Sequence, residues 1–199
     1  EGELPPPPFS SKYAIPFDEE PNSIAYYSAT EFSKIPIIEK GFYYVSNSSA
    51  LDEGITLTKY GNDFPQITSI ISAIEPMRYI TSKDEYEKLT FSADSSRLMF
   101  ESFWLQLTSD PDKAKQLIKT YYQRLEESNI LFSSYIPGWK TDRGIIYLIF
   151  GAPNIIKKQL NKEIWTYGEE NNYLSVNFNF NKQRTKFSNN HYTLSRSSI

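Results

Sequence analysis

Gly138-Trp139-Lys140-Thr141-Asp142-Arg143 puts a ring, two cations, a hydroxyl and a carboxylate into one short run. Those residue types cover several chemistries. Asp142 can serve as a general base, and Lys140 or Arg143 can stabilise developing negative charge. The Trp139 face can stack on a sugar. Yet no second carboxylate, no histidine and no adjacent nucleophile stands close in sequence. A structural use needs fewer parts. Gly138 permits a tight turn, and Trp139 inserts its ring between the third predicted helix and the sheet, its indole N–H hydrogen-bonded. Thr141 and Asp142 bond nearby backbone N–H groups, as such residues do in turns. Arg143 pairs with Asp142 or with a helix acid. The structural use is the expectation.

Other candidates are thinner. His191 is the sole histidine. A Ser-His-Asp triad would need Ser188 or Ser195 beside it, and neither sits in a nucleophile elbow. A metal site would need Asp or Glu ligands around that one imidazole. Asp18-Glu19-Glu20 lacks the spacing of a calcium loop and reads as a solvated acidic arm. Gly151-Ala152-Pro153-Asn154 lacks the Gly-Lys-Ser/Thr of a phosphate loop. Lys182, Arg184 and Lys186 alternate near aromatics, but with a pI near 5.3 they read as a strand edge guarded against aggregation. No catalytic, cofactor-binding or metal-binding set is expected, and no cofactor.

The elements that must position the motif are mostly legible. Residues 1–21, with the Pro5–Pro8 run, read as a polyproline arm or linker. Residues 22–80 read as a short-stranded β-rich region: Ser23 to Tyr27, Gly41 to Val45 and Gly54 to Tyr60 as strands, with Gln66 to Ile74 open between strand and helix. Residues 81–199 read as a helical segment followed by a sheet. Ser82 and Glu85 fit a capping box that starts a short helix to about Leu89. Ser92 to Leu107 is a second helix, with Met99, Phe100, Phe103, Trp104 and Leu107 on one face. Asp110-Pro111 restarts a third, with Ala114, Leu117, Ile118, Tyr121 and Leu125 at helical spacing. The apolar run Gly144 to Phe150 then reads as a central strand. Glu163 to Tyr167, Tyr173 to Phe180 and Phe187 to Arg196 complete a four-stranded antiparallel meander. The predicted class is α+β.

Composition bounds the rest. The chain has 199 residues, is 39% hydrophobic and carries a formal net charge of −3. That supports a sizeable core and gives no field favouring nucleic acid or an anionic membrane. With no cysteine there is no disulfide framework or thiolate metal site. No apolar run approaches the ~18 residues that span a bilayer. The aromatic share of 16% puts rings on the surface, as a protein or glycan contact would, unless it reflects only codon usage. The chain starts at Glu1-Gly2-Glu3 without initiator Met or signal peptide, as a processed product or fragment would.

Gly138 to Gly144, followed by Ile145 to Pro153, resembles the signature of the GWxTD-domain proteins of the Bacteroidota. The match also covers Glu75 to Ile80, Phe103-Trp104, Tyr121 to Arg124, Phe132 to Tyr135 and Glu163 to Tyr167, about residues 75–199. The motif positions are Gly138, Trp139, Lys140, Thr141, Asp142, Arg143, Gly151, Pro153 and Trp165. The resemblance implies the C-terminal part of a larger protein, often with a lipoprotein signal. It implies a place in the cell envelope, on the periplasmic side of the outer membrane, through an upstream lipid anchor. It brings no enzymatic role. A looser likeness, from a strand ending at Phe150 through Trp165-Thr166-Tyr167 to Leu174 to Phe178, is to small helix-plus-three-strand adaptor lipoproteins of the outer-membrane barrel-assembly machine.

The expected function is a non-catalytic interaction or structural module. Its partners would be other protein subunits, such as an outer-membrane barrel or a secretion or assembly machine, with no nucleic acid. The alternative is a glycan-binding or hydrolytic domain that uses the Trp139–Arg143 loop. A third option is a domain that only supports the fold of a larger secreted protein.

Overall fold

Helix start signals in the sequence translate directly into caps. The computed structural model describes residues 20–28, 36–47, 54–91, 93–185 and 187–196. The Pro5–Pro8 run, Asp18-Glu19 and Lys186 lie outside the described residues. Helix α1 spans Ile70–Met77, with the Ser69 side chain accepting from the Ser72 N–H. Of the stretch Gln66 to Ile74 that the sequence left open, Ile70 onward is helix and Gln66 to Ser69 is the loop that leads to its cap. The predicted capping box opens α2, Lys83–Thr90: Ser82 accepts from the Glu85 N–H and Glu85 accepts from the Ser82 N–H. Helix α3 spans Ala93–Thr108, and Asp110 caps α4, Pro111–Phe132, through the N–H groups of Asp112 and Lys113. Strands β1 (Gly41–Ser46) and β2 (Gly54–Lys59) form an antiparallel hairpin. Ser23 to Tyr27, expected as a strand, pairs with nothing among the described residues and is exposed throughout.

The largest correction concerns the motif's own continuation. Gly144 to Phe150 is not a central strand but part of helix α5, Asp142–Phe150. Thr141 is its N-cap, accepting from the Gly144 N–H at 3.0 Å, and Asp142 lies in the first turn where the helix dipole favours an acid. Gly151 ends it with φ +79°, a conformation that a side chain disfavours. The apolar residues of α5 serve two cores, so no polar stripe marks it as a helix. Leu148 packs in a helical core with Ile74, Met77, Leu125 and Trp139. Ile146 packs in a sheet core with Phe132, Trp165, Phe178, Phe180 and Leu194. The adaptor-lipoprotein likeness loses its first strand at the same point.

The meander has four antiparallel strands nonetheless, in the order β3 (Ile155–Lys158), β4 (Lys162–Tyr167), β5 (Val176–Lys182) and β6 (Tyr192–Leu194). Trp165 stands opposite Phe178 and Phe180 opposite Leu194, all on the buried face, while Asn177 and Asn179 take the other. The alternation that the sequence predicts over Tyr173 to Phe180 holds at Phe178 and Phe180; Tyr173 and Leu174 precede the strand and are exposed, and Val176 is half-exposed. The fold is α+β, with five α-helices among the described residues, a two-stranded sheet and this meander. No helix among them is long and apolar enough to cross a membrane.

Candidate functional site

The motif is an internal joint. Gly138 to Lys140 form a single 3-10 turn between α4 and α5. Its backbone lies directly on α4: a Cβ on Gly138 would stand 1.8 Å from the Ser128 carbonyl oxygen. A Cβ on Gly144 would in turn stand 1.8 Å from the carbonyl oxygen of Gly138. Two glycines therefore let three backbone segments touch. The Gly138 N–H donates to Ser133 Oγ at 2.9 Å, and Thr141 Oγ1 donates to the Gly138 carbonyl at 2.7 Å.

Each motif side chain already has protein partners. Trp139 is 5% exposed and sits in the helical core, its ring edge-on to Tyr79 at 6.0 Å. This corrects the expectation that it would lie between a helix and the sheet; Trp165, beside Phe132 at 5.3 Å, takes that place. Lys140 reaches over the Trp139 ring and bonds Glu75 at 2.6 Å, binding the loop to α1. Asp142 does not bond nearby N–H groups. It accepts the Leu194 N–H at 2.7 Å and forms an ion pair with Arg196, both side chains 4% exposed. Arg143 pairs with neither Asp142 nor a helix acid, but with Glu163 on β4 at 3.2 Å. It also donates to the Asn190 carbonyl at 2.7 Å and lies 4.0 Å over the Tyr192 ring. Burial lowers the Arg143 pKa, and Glu163 opposes that shift. The same Glu163 oxygen accepts the Trp165 indole N–H at 3.2 Å. Gly151 takes the Tyr167 hydroxyl on its carbonyl at 2.7 Å, and Pro153 follows in the turn to β3.

Four partners were invisible in the sequence: Glu75, Glu163, Asn190 and Arg196. No local spacing connects them to the loop. Among the described residues, no group of three or more His, Cys, Asp or Glu side chains is placed to hold a metal ion.

His191 meets neither Ser188 nor Ser195. Its Nδ1 lies 3.2 Å from Ser134 Oγ and its Nε2 3.0 Å from the Tyr135 hydroxyl, which ties the segment before β6 to the end of α4. Ser134 is 4% exposed, so this pair presents no open nucleophile. Burial pulls the imidazole below its ordinary 6.5; Asp142 opposes the shift and Arg143 adds to it. The unfolded chain therefore takes up the proton first, and stability is lost as pH falls through about 6.5. Thermal melts between pH 7.5 and 5.5 are expected to show a falling Tm, and His191→Gln is expected to flatten that slope. With a single histidine, an unchanged slope in the variant would assign the effect elsewhere.

These features describe an α+β domain whose most distinctive loop is turned inward to join helices to sheet. The GWxTD domain family model matches residues 41–199, and the chain belongs to that family. No curated protein and no solved structure matches it.

Proposed function

We propose that this chain is a non-catalytic interaction module of a bacterial cell-envelope protein complex, part of a larger Bacteroidota lipoprotein held at the periplasmic side of the outer membrane. The observation behind this reading is that the charged groups of the Trp139–Arg143 loop are bonded to the protein's own groups. A base or a sugar-stacking face needs free groups and access, and Trp139 and Asp142 are each 5% exposed. What the surface offers is apolar. Phe91 is 89% exposed and lines, with Met99, an open groove of about 550 Å³ between α2 and α3; Leu98 of α3 is 65% exposed. Exposed aromatic and Met side chains are the usual anchors of protein interfaces.

The test is recovery of the full-length protein from solubilised native membranes, with mass spectrometry of what accompanies it. Reproducible co-recovery with an outer-membrane barrel or an assembly machine is expected. Phe91→Asp should lose that partner while leaving Tm unchanged. Recovery alone in the soluble fraction would overturn the reading.

A further inference from the structure

The net charge of −3 gives no field toward anions over the whole chain, yet cations concentrate at one end of the meander. The β3–β4 hairpin turns through Leu160 and Asn161, closed by the Gln159 N–H donating to the Lys162 carbonyl at 2.8 Å. The Lys182 N–H donates to the Asn161 carbonyl at 2.9 Å, which brings the end of β5 to the same turn. Lys158, Lys162, Lys182 and Arg184 therefore gather at one end of three adjacent strands. Three strands span about 10 Å. That is close to a Debye length at physiological salt, so the four fields add. Lys182 stands on the Phe180 side of β5 and Lys162 on the opposite face of β4, so cations flank the turn on both sides. The edge-guard role expected of Lys182 does not hold, because β5 pairs with β4 on one side and β6 on the other.

Little negative charge offsets this end. Residues 154–196 contain three acids. Glu163 is buried and bonded to Arg143 at 3.2 Å, and it lies 4.0 Å from Lys158, whose side chain is 72% exposed. Glu169 and Glu170 sit in the β4–β5 connection at the other end of the strands, where Glu170 bonds Lys157. Amid the cations, Leu160 is 86% exposed at the tip of its turn.

We infer that this end of the meander docks on an anionic bilayer surface, with Leu160 entering the acyl boundary and the four cations meeting headgroup phosphates. Leu160 decides among anionic partners. A soluble polyanion answers the cations but has no hydrocarbon beneath its charge. A bilayer supplies negative charge and, a few ångströms deeper, an apolar layer that takes a protruding Leu. Each cation held near an anionic leaflet gains roughly fivefold in partitioning, so the four together give about six hundredfold. The contact needs no partner protein, so it can fail while the envelope-complex reading survives, and the reverse.

The purified chain is spun with sucrose-loaded vesicles of phosphatidylcholine, with and without phosphatidylglycerol. Co-sedimentation is expected with the anionic vesicles only, weakening as salt rises. Lys162→Gln with Lys182→Gln should lower the partition coefficient about 25-fold, at fivefold per cation, with Tm unchanged. Lys113→Gln with Lys115→Gln, in the first turns of the 22-residue α4, should leave it as it was. The chain has no cysteine, so a polarity-sensitive dye on Leu160→Cys reports that position alone. Its emission should shift to the blue on anionic vesicles and not on heparin. The proposal is overturned by no binding to anionic vesicles, by equal binding to both compositions, by binding that survives the tip substitutions, or by a dye that stays in water. Tip-dependent retention on heparin without vesicle binding would also overturn it, and would make the tip a polyanion contact.

Discussion

Gly144→Ala is expected to cost about 3 kcal/mol or more of folding stability, at the top of the range for inserting atoms into a packed interior. The added Cβ would stand 1.8 Å from the Gly138 carbonyl oxygen and 3.0 Å from the Trp139 Cα. Both are backbone atoms, so no rotamer change relieves the clash; α5 must move off the 3-10 turn. That movement would open the helical core at Leu148 and the sheet core at Ile146 together. For a chain of this length the loss corresponds to a Tm drop of roughly 6–12 °C. Gly61→Ala is the control. Its new Cβ meets only the end of the Lys40 side chain, at 3.2 Å, and a flexible chain can yield. Reduced freedom of the unfolded chain should make that variant neutral or slightly stabilised. Urea denaturation of both variants checks the pair. A Gly144→Ala chain within about 0.5 kcal/mol of the parent, where surface substitutions normally fall, would mean that the backbones do not touch.

The second large effect belongs to the Asp142–Arg196 pair. Both side chains are 4% exposed, and Asp142 also accepts the Leu194 N–H. Removing one member leaves the other charge buried, which typically costs about 3–5 kcal/mol. Asp142→Ala and Arg196→Met are each expected to show a loss of that order in equilibrium unfolding. The double variant should lie closer to the parent than the sum of the two, because it leaves no orphaned charge. Strict additivity would deny the pair. The physical consequence is directional: the carboxylate that begins α5 holds the chain just beyond β6, so the sheet's last strand is fastened by the motif. The Asp of the signature fastens the start of α5 to Leu194 and Arg196.

Much of the frame was legible because its signals are local. Ser82 and Glu85 lie three residues apart and bond each other's backbone. Asp110-Pro111 carries both the cap and the fixed φ of a first helical turn. Phe178 and Phe180 alternate with Asn177 and Asn179 because one side of β5 meets water. The segment 145–150 misled for an equally physical reason. A helix pressed between two cores shows no polar stripe, and six consecutive apolar residues then look like a buried strand. The flanks held the correction, with Thr141-Asp142 able to start a helix and Gly151 able to stop one.

The sequence by itself determined the family, the α+β class, the caps and the alternation of β5, since each depends on neighbours within a turn or a pleat. Only the tertiary structure decided where the motif's side chains lie and what they bond. That Trp139 fills a core beside Tyr79, and that Asp142 and Arg143 bond Arg196 and Glu163, depends on partners 20 to 60 residues away. Side-chain spacing carries no information across that distance. The folding of α5 back onto α4 and the closing of β6 beside it brings those charges together and removes them from water.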